Sequence, residues 1–243
     1  MQVDIYDDHQ ILSRALMNYI NRLAELSANK RGKFCIALSG GSLMDVMAAA
    51  LDQELPNGPV DWSPWHVFWA DERLIQWQSP ESIYGTAMRQ CFYRVPIPEH
   101  QIYAMNTSQP LVKAARLYAS LLKMVFKPPK DQYPRFDLIL LGIGPDGHTA
   151  SLFPNHPVLD EVREWVSPVW NAPKPPPKRI TLTLPVINSA RHIAWVATGP
   201  NKAEIVHRIL NPSPISKALP AGRVKPSKGK THWFIDQDAA VGI

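Results

Sequence analysis

Residues 136–154 read F-D-L-I-L-L-G-I-G-P-D-G-H-T-A-S-L-F-P. Leu138, Ile139, Leu140 and Leu141 form an unbroken apolar run between Asp137 and Gly142. A run of that length, bounded in that way, predicts a strand buried on both faces, as in a parallel sheet. Gly142, Gly144 and Gly147 then predict a flexible turn, and the turn carries Asp146 and His148. In open α/β sheets ligands bind at the carboxyl ends of strands. An acid and an imidazole at such an end mark where chemistry is expected.

The turn also fits G-x-G-x-x-G at 142–147. A dinucleotide site needs a long helix directly after the last glycine and an acidic residue about 20 positions on. Pro154 and Pro157 cut the following segment short, and Glu161 and Glu164 end no second buried strand. The turn is therefore read as presenting His148, not as holding a nicotinamide nucleotide.

Upstream, Asp7 or Asp8 is expected to cap a first helix, with Ile11, Leu12, Ala15, Leu16, Tyr19, Ile20 and Leu23 at helical spacing. A buried strand is expected over 33–38. Ser39-Gly40-Gly41-Ser42 then separates it from a helix running to about residue 51. Glycines allow close backbone approach, and a helix N-terminus offers free N–H groups and partial positive charge. The segment reads either as a plain strand-to-helix turn or as a phosphate cradle. No G-K-[ST] follows, so a nucleoside triphosphate site is not indicated. A second strand is expected over 65–70, ending in Asp71-Glu72-Arg73. A helix is expected over 80–92, a short strand over 101–104 and an amphipathic helix over 111–126.

Downstream, a short strand is expected over 165–169. The stiff run Pro173-Lys174-Pro175-Pro176-Pro177 precedes Lys178-Arg179-Ile180-Thr181-Leu182-Thr183. A proline-braced Arg179 has little freedom to lose on gripping a phosphate bidentately. A buried strand over 191–197 ends in Thr198-Gly199-Pro200-Asn201-Lys202, opening a helix to about 210. Lys202 in a first helical turn opposes the helix dipole and invites an anionic partner. A short helix over 216–219 and a last strand over 231–235 complete the alternation.

Composition sets outer bounds. The 243 residues suit one α/β domain spanning 1–243, with no internal repeat. Apolar residues make up 45% and no apolar run is long enough to span a bilayer, so no membrane partner is expected. Residues 1–8 lack the layout of a signal peptide, and two cysteines are too few for a disulfide framework, so a cytoplasmic location is expected. The net charge of +5 is spread along the chain. Its densest cluster, over 223–230, lacks interleaved aromatics, so a small anion is favoured over nucleic acid.

The segment G-I-G-P-D-G-H-T-A-S-L-F-P resembles the signature of 6-phosphogluconolactonases, within the glucosamine-6-phosphate isomerase superfamily. S-G-G-S after a strand, D-E-R, P-x-R-x-T-L-T and G-x-x-K-A resemble that family's other blocks, in family order over nearly the whole chain. Ser82-Ile83-Tyr84-Gly85 resembles a further block, with Ile83 where Asn is usual. The sequence looks most like the animal-type enzymes. The resemblance implies a Rossmann-like α/β fold of the NagB/RpiA type, a mostly parallel sheet with helices on both faces. It implies hydrolysis of 6-phosphogluconolactone to 6-phosphogluconate in the oxidative pentose phosphate pathway, with no cofactor and no metal. A monomeric enzyme is expected.

The chemistry fits these residues. Imidazole can take and return a proton near neutral pH, so His148 is the expected general base. Asp146 could orient it or a sugar hydroxyl, and Asp71 could do the latter. Arg73 and backbone N–H groups of the glycine turn are expected at the oxyanion. Gly40, Gly41, Ser42, Arg179 and Lys202 are expected at the phosphate. His156 is badly spaced for sharing a metal with His148. A glucosamine-6-phosphate deaminase would carry a Glu shortly after the His, and 150–154 holds no acid. A non-catalytic phosphosugar-binding regulator would have no need of His148.

Overall fold

The computed structural model describes residues 1–53, 55, 58–211 and 213–243. Its strands are β1 (Gln2–Tyr6), β2 (Phe34–Leu38), β3 (Trp65–Trp69), β4 (Asp71–Arg73), β5 (Leu138–Gly142), β6 (Val166–Val169), β7 (Arg179–Leu182), β8 (His192–Ala197) and β9 (Lys230–Asp236). Its helices are α1 (His9–Arg31), α2 (Ser42–Leu51), α3 (Ile83–Gln90), α4 (Leu111–Phe126), α5 (Leu184–Asn188), α6 (Ala203–Leu210), α7 (Pro214–Ala218) and α8 (Pro220–Arg223).

The main sheet runs β1-β9-β8-β5-β2-β3, and every neighbouring pair in it is parallel. Successive strand residues point to opposite faces. All five residues of β2 and the first four of β5 are buried, so both faces of the sheet centre are covered. Parallel pairing carries the chain back by helix after each strand. The carboxyl ends of β2, β5 and β8 therefore lie side by side.

The helices start and stop where their sequence directs. Asp8 accepts from Ile11 N at 2.7 Å to cap α1, and Gly32 ends it in the left-handed conformation at φ 71°. Helix α4 buries Leu111, Ala114, Ala115, Tyr118 and Leu122, one stripe at helical spacing. Tyr118 Oη accepts from Trp69 N at 2.8 Å, pinning α4 to the end of β3.

The structure departs from the sequence expectations in five places. Residues 2–6 form β1, an edge strand beside β9 that the polar N-terminus did not announce. Asp71-Glu72-Arg73 does not merely end β3. It forms β4 in a separate antiparallel sheet, β4-β7-β6. Ala70 is the joint, its N–H donating to Leu38 O in the main sheet and its carbonyl accepting from Leu182 N of β7, both at 2.7 Å. Residues 101–104 make no strand. A 3₁₀ turn at Glu99–Gln101 leads to a single bridge between Ile102 and Val67. The helix expected over 80–92 is shorter, because Ser82 caps it by accepting from Gly85 N. The helix expected over 216–219 is two, each opening on a proline, with Leu219 extended between them.

Candidate active site

Beyond β5 the chain makes the tight turn its glycines predict. Gly144 N donates to His148 O at 2.9 Å and Gly147 N to Gly144 O at 2.8 Å. Gly147 sits at φ 82°, where a side chain would be strained. Thr149 Oγ1 donates back to Gly142 O at 2.9 Å. The turn is thus closed on itself at both ends, and Gly144 N and Gly147 N, two of the turn's backbone donors expected at an oxyanion, are spent inside it.

The turn aims His148 into a cleft. The ring lies on Phe153, centroids 4.8 Å apart, with its side chain 19% exposed. Nδ1 faces Asp146 Oδ1 at 2.5 Å. With the proton on Nδ1 donated to the carboxylate, Nε2 is left as the acceptor. Burial pushes the Asp146 carboxyl up, but the hydrogen bond and charge of His148 and the Lys174 ammonium outweigh it. The net effect holds Asp146 well below the usual carboxylate range.

The carboxyl end of β2 supplies the second wall. Gly41 is the N-cap of α2 at φ 78° and provides no side-chain cap. The first amides of the helix are left for another acceptor. Gly40 is needed for closeness, since a Cβ there would lie 2.7 Å from Ile83 Cγ1. At the position where the family resemblance leads one to expect Asn, Ile83 therefore packs against the loop as an apolar buttress.

The small sheet supplies the third wall. Asp71 is buried and accepts from Ser39 Oγ at 2.9 Å and Ser151 Oγ at 2.7 Å. It ties the end of β2 to the segment after His148. Glu72 points the other way, fully buried. It accepts from Arg73 N, Ile83 N, Tyr84 N and Ser82 Oγ at 2.7 to 3.0 Å. Burial pushes its carboxyl up while these hydrogen bonds oppose that. Arg73 donates from Nη1 to Glu81 O at 2.6 Å, and its buried Nε has no protein partner among the described residues.

Arg179 departs from the expectation of a free fork. It is buried, and Nε donates to Pro176 O at 3.0 Å. Nη2 donates to Lys174 O at 2.9 Å and Pro175 O at 3.1 Å. Among the described residues only Nη1 is left without a partner, so a bidentate grip through both terminal nitrogens is already half used by the proline-rich run. The guanidinium also lies 5.4 Å from the Phe153 ring whose stacking supports His148. In the register of β4 and β7, Arg179 stands opposite Arg73. Like charges in that relation repel, and an anion between them relieves it.

Lys202 ends the 3₁₀ turn Pro200–Lys202 and is the N-cap residue of α6. Burial lowers its ammonium pKa, the nearby Lys174 adds to that, and Asp146 opposes it. Gly40, Gly41, Ser42, Asp71, Arg73, His148, Arg179 and Lys202 all line one cleft of about 160 Å³. Asp146 reaches it through His148. Among the described residues no three His, Cys, Asp or Glu side chains gather in a way that could hold a metal ion.

The family described as "Glucosamine-6-phosphate isomerases/6-phosphogluconolactonase" matches residues 7–233. The chain belongs to this family. It is 42% identical over 240 residues to the human 6-phosphogluconolactonase, covering 98% of this chain and 92% of that protein. It is 41% identical over 242 residues to a rice protein named probable 6-phosphogluconolactonase 3, chloroplastic, covering 97% of this chain and 74% of that one. Among solved structures, the 6-phosphogluconolactonase from Trypanosoma brucei superposes with a TM-score of 0.85 at 28% identity, covering 98% and 97% of the two chains. That from Leishmania guyanensis shares the fold at 0.86 and 21% identity.

Within this family member, three side chains have a part in the site that sequence reasoning did not give them. Ser39 and Ser151 hold Asp71, and their spacing of over a hundred residues gave no local signal. Lys174 lines the cleft from the proline-rich run. Its signal was a lone cation within a stiff run of prolines.

Proposed function

We propose that this chain hydrolyses 6-phosphogluconolactone to 6-phosphogluconate. The observation that carries the reading is one cleft that holds a carboxylate-oriented imidazole together with Gly40, Gly41, Ser42, Arg73, Arg179 and Lys202. Water attacks the lactone carbonyl, and His148 Nε2 takes its proton. The oxyanion that forms faces Arg73, whereas the amides of Gly144 and Gly147 are spent within their own turn. Collapse breaks the bond to the ring oxygen, which receives the proton from His148. At the far end the phosphate meets the first amides of α2, Arg179 Nη1 and Lys202, and Asp71 meets a sugar hydroxyl. Binding energy there positions the reacting end.

The family's isomerase branch is the second reading. It needs a proton carrier beyond the histidine, and Ala150-Ser151-Leu152-Phe153-Pro154 provides none. Among the described residues, the only carboxylate lining the cleft is Asp71, already held by two hydroxyls. The lactonase reading is therefore favoured. We take the enzyme as a cytoplasmic monomer of one domain that needs no metal or cofactor. Among the described residues no helix is long and apolar enough to cross a membrane.

The test is a coupled assay that times 6-phosphogluconate release from freshly made 6-phosphogluconolactone against spontaneous hydrolysis. Acceleration by the chain, undiminished by EDTA, is expected. A rate equal to the spontaneous one overturns the reading.

A further inference from the structure

Lys174 brings a cation to the base. Its Nζ lies 3.4 Å from Asp146 Oδ1 and 3.5 Å from His148 Nδ1. One carboxylate oxygen thus faces both the imidazole and the ammonium. An exposed Lys–Asp contact by itself contributes little. Here the support is fixed. Prolines on either side restrict the backbone, and the carbonyls of Lys174, Pro175 and Pro176 all accept from Arg179. Ala172 N closes the loop on Pro177 O at 3.0 Å. The ammonium is held over the cleft with its side chain 44% exposed, open to whatever binds there.

We propose that Lys174 is a positioning residue for the base, offsetting the charge of Asp146 so that the carboxylate can orient His148 without fixing it as imidazolium. This rests on His148 being the base. A carboxylate alone beside an imidazole favours the protonated ring, and an ammonium at the same distance opposes it. The groups facing His148 are Asp146 on its own turn and Lys174 on the proline-rich run, and Lys202 at the start of α6 lines the same cleft. Arg179 lies beyond Phe153, and Arg73 and Asp71 line the cleft. Lys174 is the cation among them that the structure brings to 3.5 Å from Nδ1, a charge contact with the ring. In turnover the water O–H bond breaks and its proton goes to Nε2 as the carbon–oxygen bond forms. The resulting imidazolium, beside Lys174, is a readier acid toward the departing ring oxygen. Arg179 places Lys174 by its grip on the loop, so one guanidinium serves both ends of the substrate.

The experiment compares Lys174→Met and Lys174→Arg with the unaltered chain. The His148 ring is titrated by NMR, and kcat/KM is followed against pH. For Lys174→Met the midpoint of the ring titration should rise by on the order of one pH unit. The acid limb of kcat/KM should move up with it, and Lys174→Arg should restore both. An unmoved midpoint with a raised KM alone overturns the inference and leaves Lys174 as an anion contact. The NMR midpoint needs no turnover. Absence of lactonase activity in the unaltered chain would thus defeat the proposed function, while an unmoved midpoint in an active enzyme defeats only this inference. Should Lys174→Met fold poorly, Lys174→Gln carries the same comparison.

Discussion

Gly144 leaves no room for a methyl group beneath His148. A Cβ built there would collide with Nδ1 and Cε1 of the ring and stand 2.6 Å from Asp146 Oδ1. His148 and its carboxylate partner Asp146 are thus packed directly onto the backbone of their own turn. Gly144→Ala should leave the sheet intact, because the backbone at 144 is not in the left-handed region. The ring must tilt, and a displacement near 1 Å at a catalytic group costs on the order of 10²-fold in rate. The expected result is a fall in kcat of that size with an unchanged melting temperature. Retained activity would show that the ring's observed position is not the working one.

His148→Ala removes the proposed proton carrier and leaves the cleft's cations in place. General base assistance contributes roughly 10²–10⁴ in rate. The variant should lose activity to that extent while binding 6-phosphogluconate, measured calorimetrically, almost as before. Equal loss of binding and turnover would assign the ring to binding rather than to proton transfer.

Arg179→Ala should act at two places. Loss of Nη1 raises KM for the phosphorylated lactone, and unphosphorylated gluconolactone should be a poor substrate of the unaltered chain. Loss of Nε and Nη2 leaves the carbonyls at 174, 175 and 176 without their donor. Stability should fall by about 1–3 kcal/mol, read from the urea midpoint. Arg179→Lys should not restore it, since a single ammonium cannot reproduce the planar fork.

The main sheet could be read from the chain because its strands are buried on both faces. Leu138–Leu141 and the 34–38 run hold no polar residue to suggest another fate. The site could be read because each of its parts sits at a strand end beside its own glycine, proline or charge. Edge strand β1 could not. Gln2, Asp4 and Tyr6 alternate with apolar residues under partial exposure, and pairing with β9 at the far end of the chain makes the strand. Nor could β4, where three residues with three charges become a strand only by meeting 179–181. Arg179 was legible as a cation of the cleft but not as the brace of its own preceding loop. That use depends on the loop folding back, and with it the meeting of Lys174 and Asp146, 28 residues apart in sequence.

Glu72 tests whether the middle residue of D-E-R is structural. Its carboxylate takes four donors in a fully buried place and sets the start of α3. Glu72→Ala leaves those donors unpaired and should cost about 3 kcal/mol or more. Ile83 rides on that start and buttresses Gly40, so KM should also rise. A stable variant with normal KM would mean that α3 is held from elsewhere.

Stability should fall as the solution is acidified below neutrality. Burial lowers the pKa of His66, of His192 and of His156; neighbouring cations add to this at His66 and His192. His192 Nδ1 also meets Tyr19 Oη at 3.1 Å, and His66 Nδ1 meets Tyr103 Oη at 2.9 Å. In the unfolded chain these rings take up protons near pH 6.5. The folded chain resists until lower pH, so over that interval the unfolded state binds more protons. Stability then rises with pH, is complete above the unfolded value and is lost as pH falls through the folded ones. Melting temperature measured between pH 7.5 and 5.5 should therefore decline on the acid side. Replacing His192 with Gln should flatten the decline, because one of the rings that must stay neutral is gone. A melting temperature independent of pH across this range would show that these rings accept protons as freely in the fold as outside it.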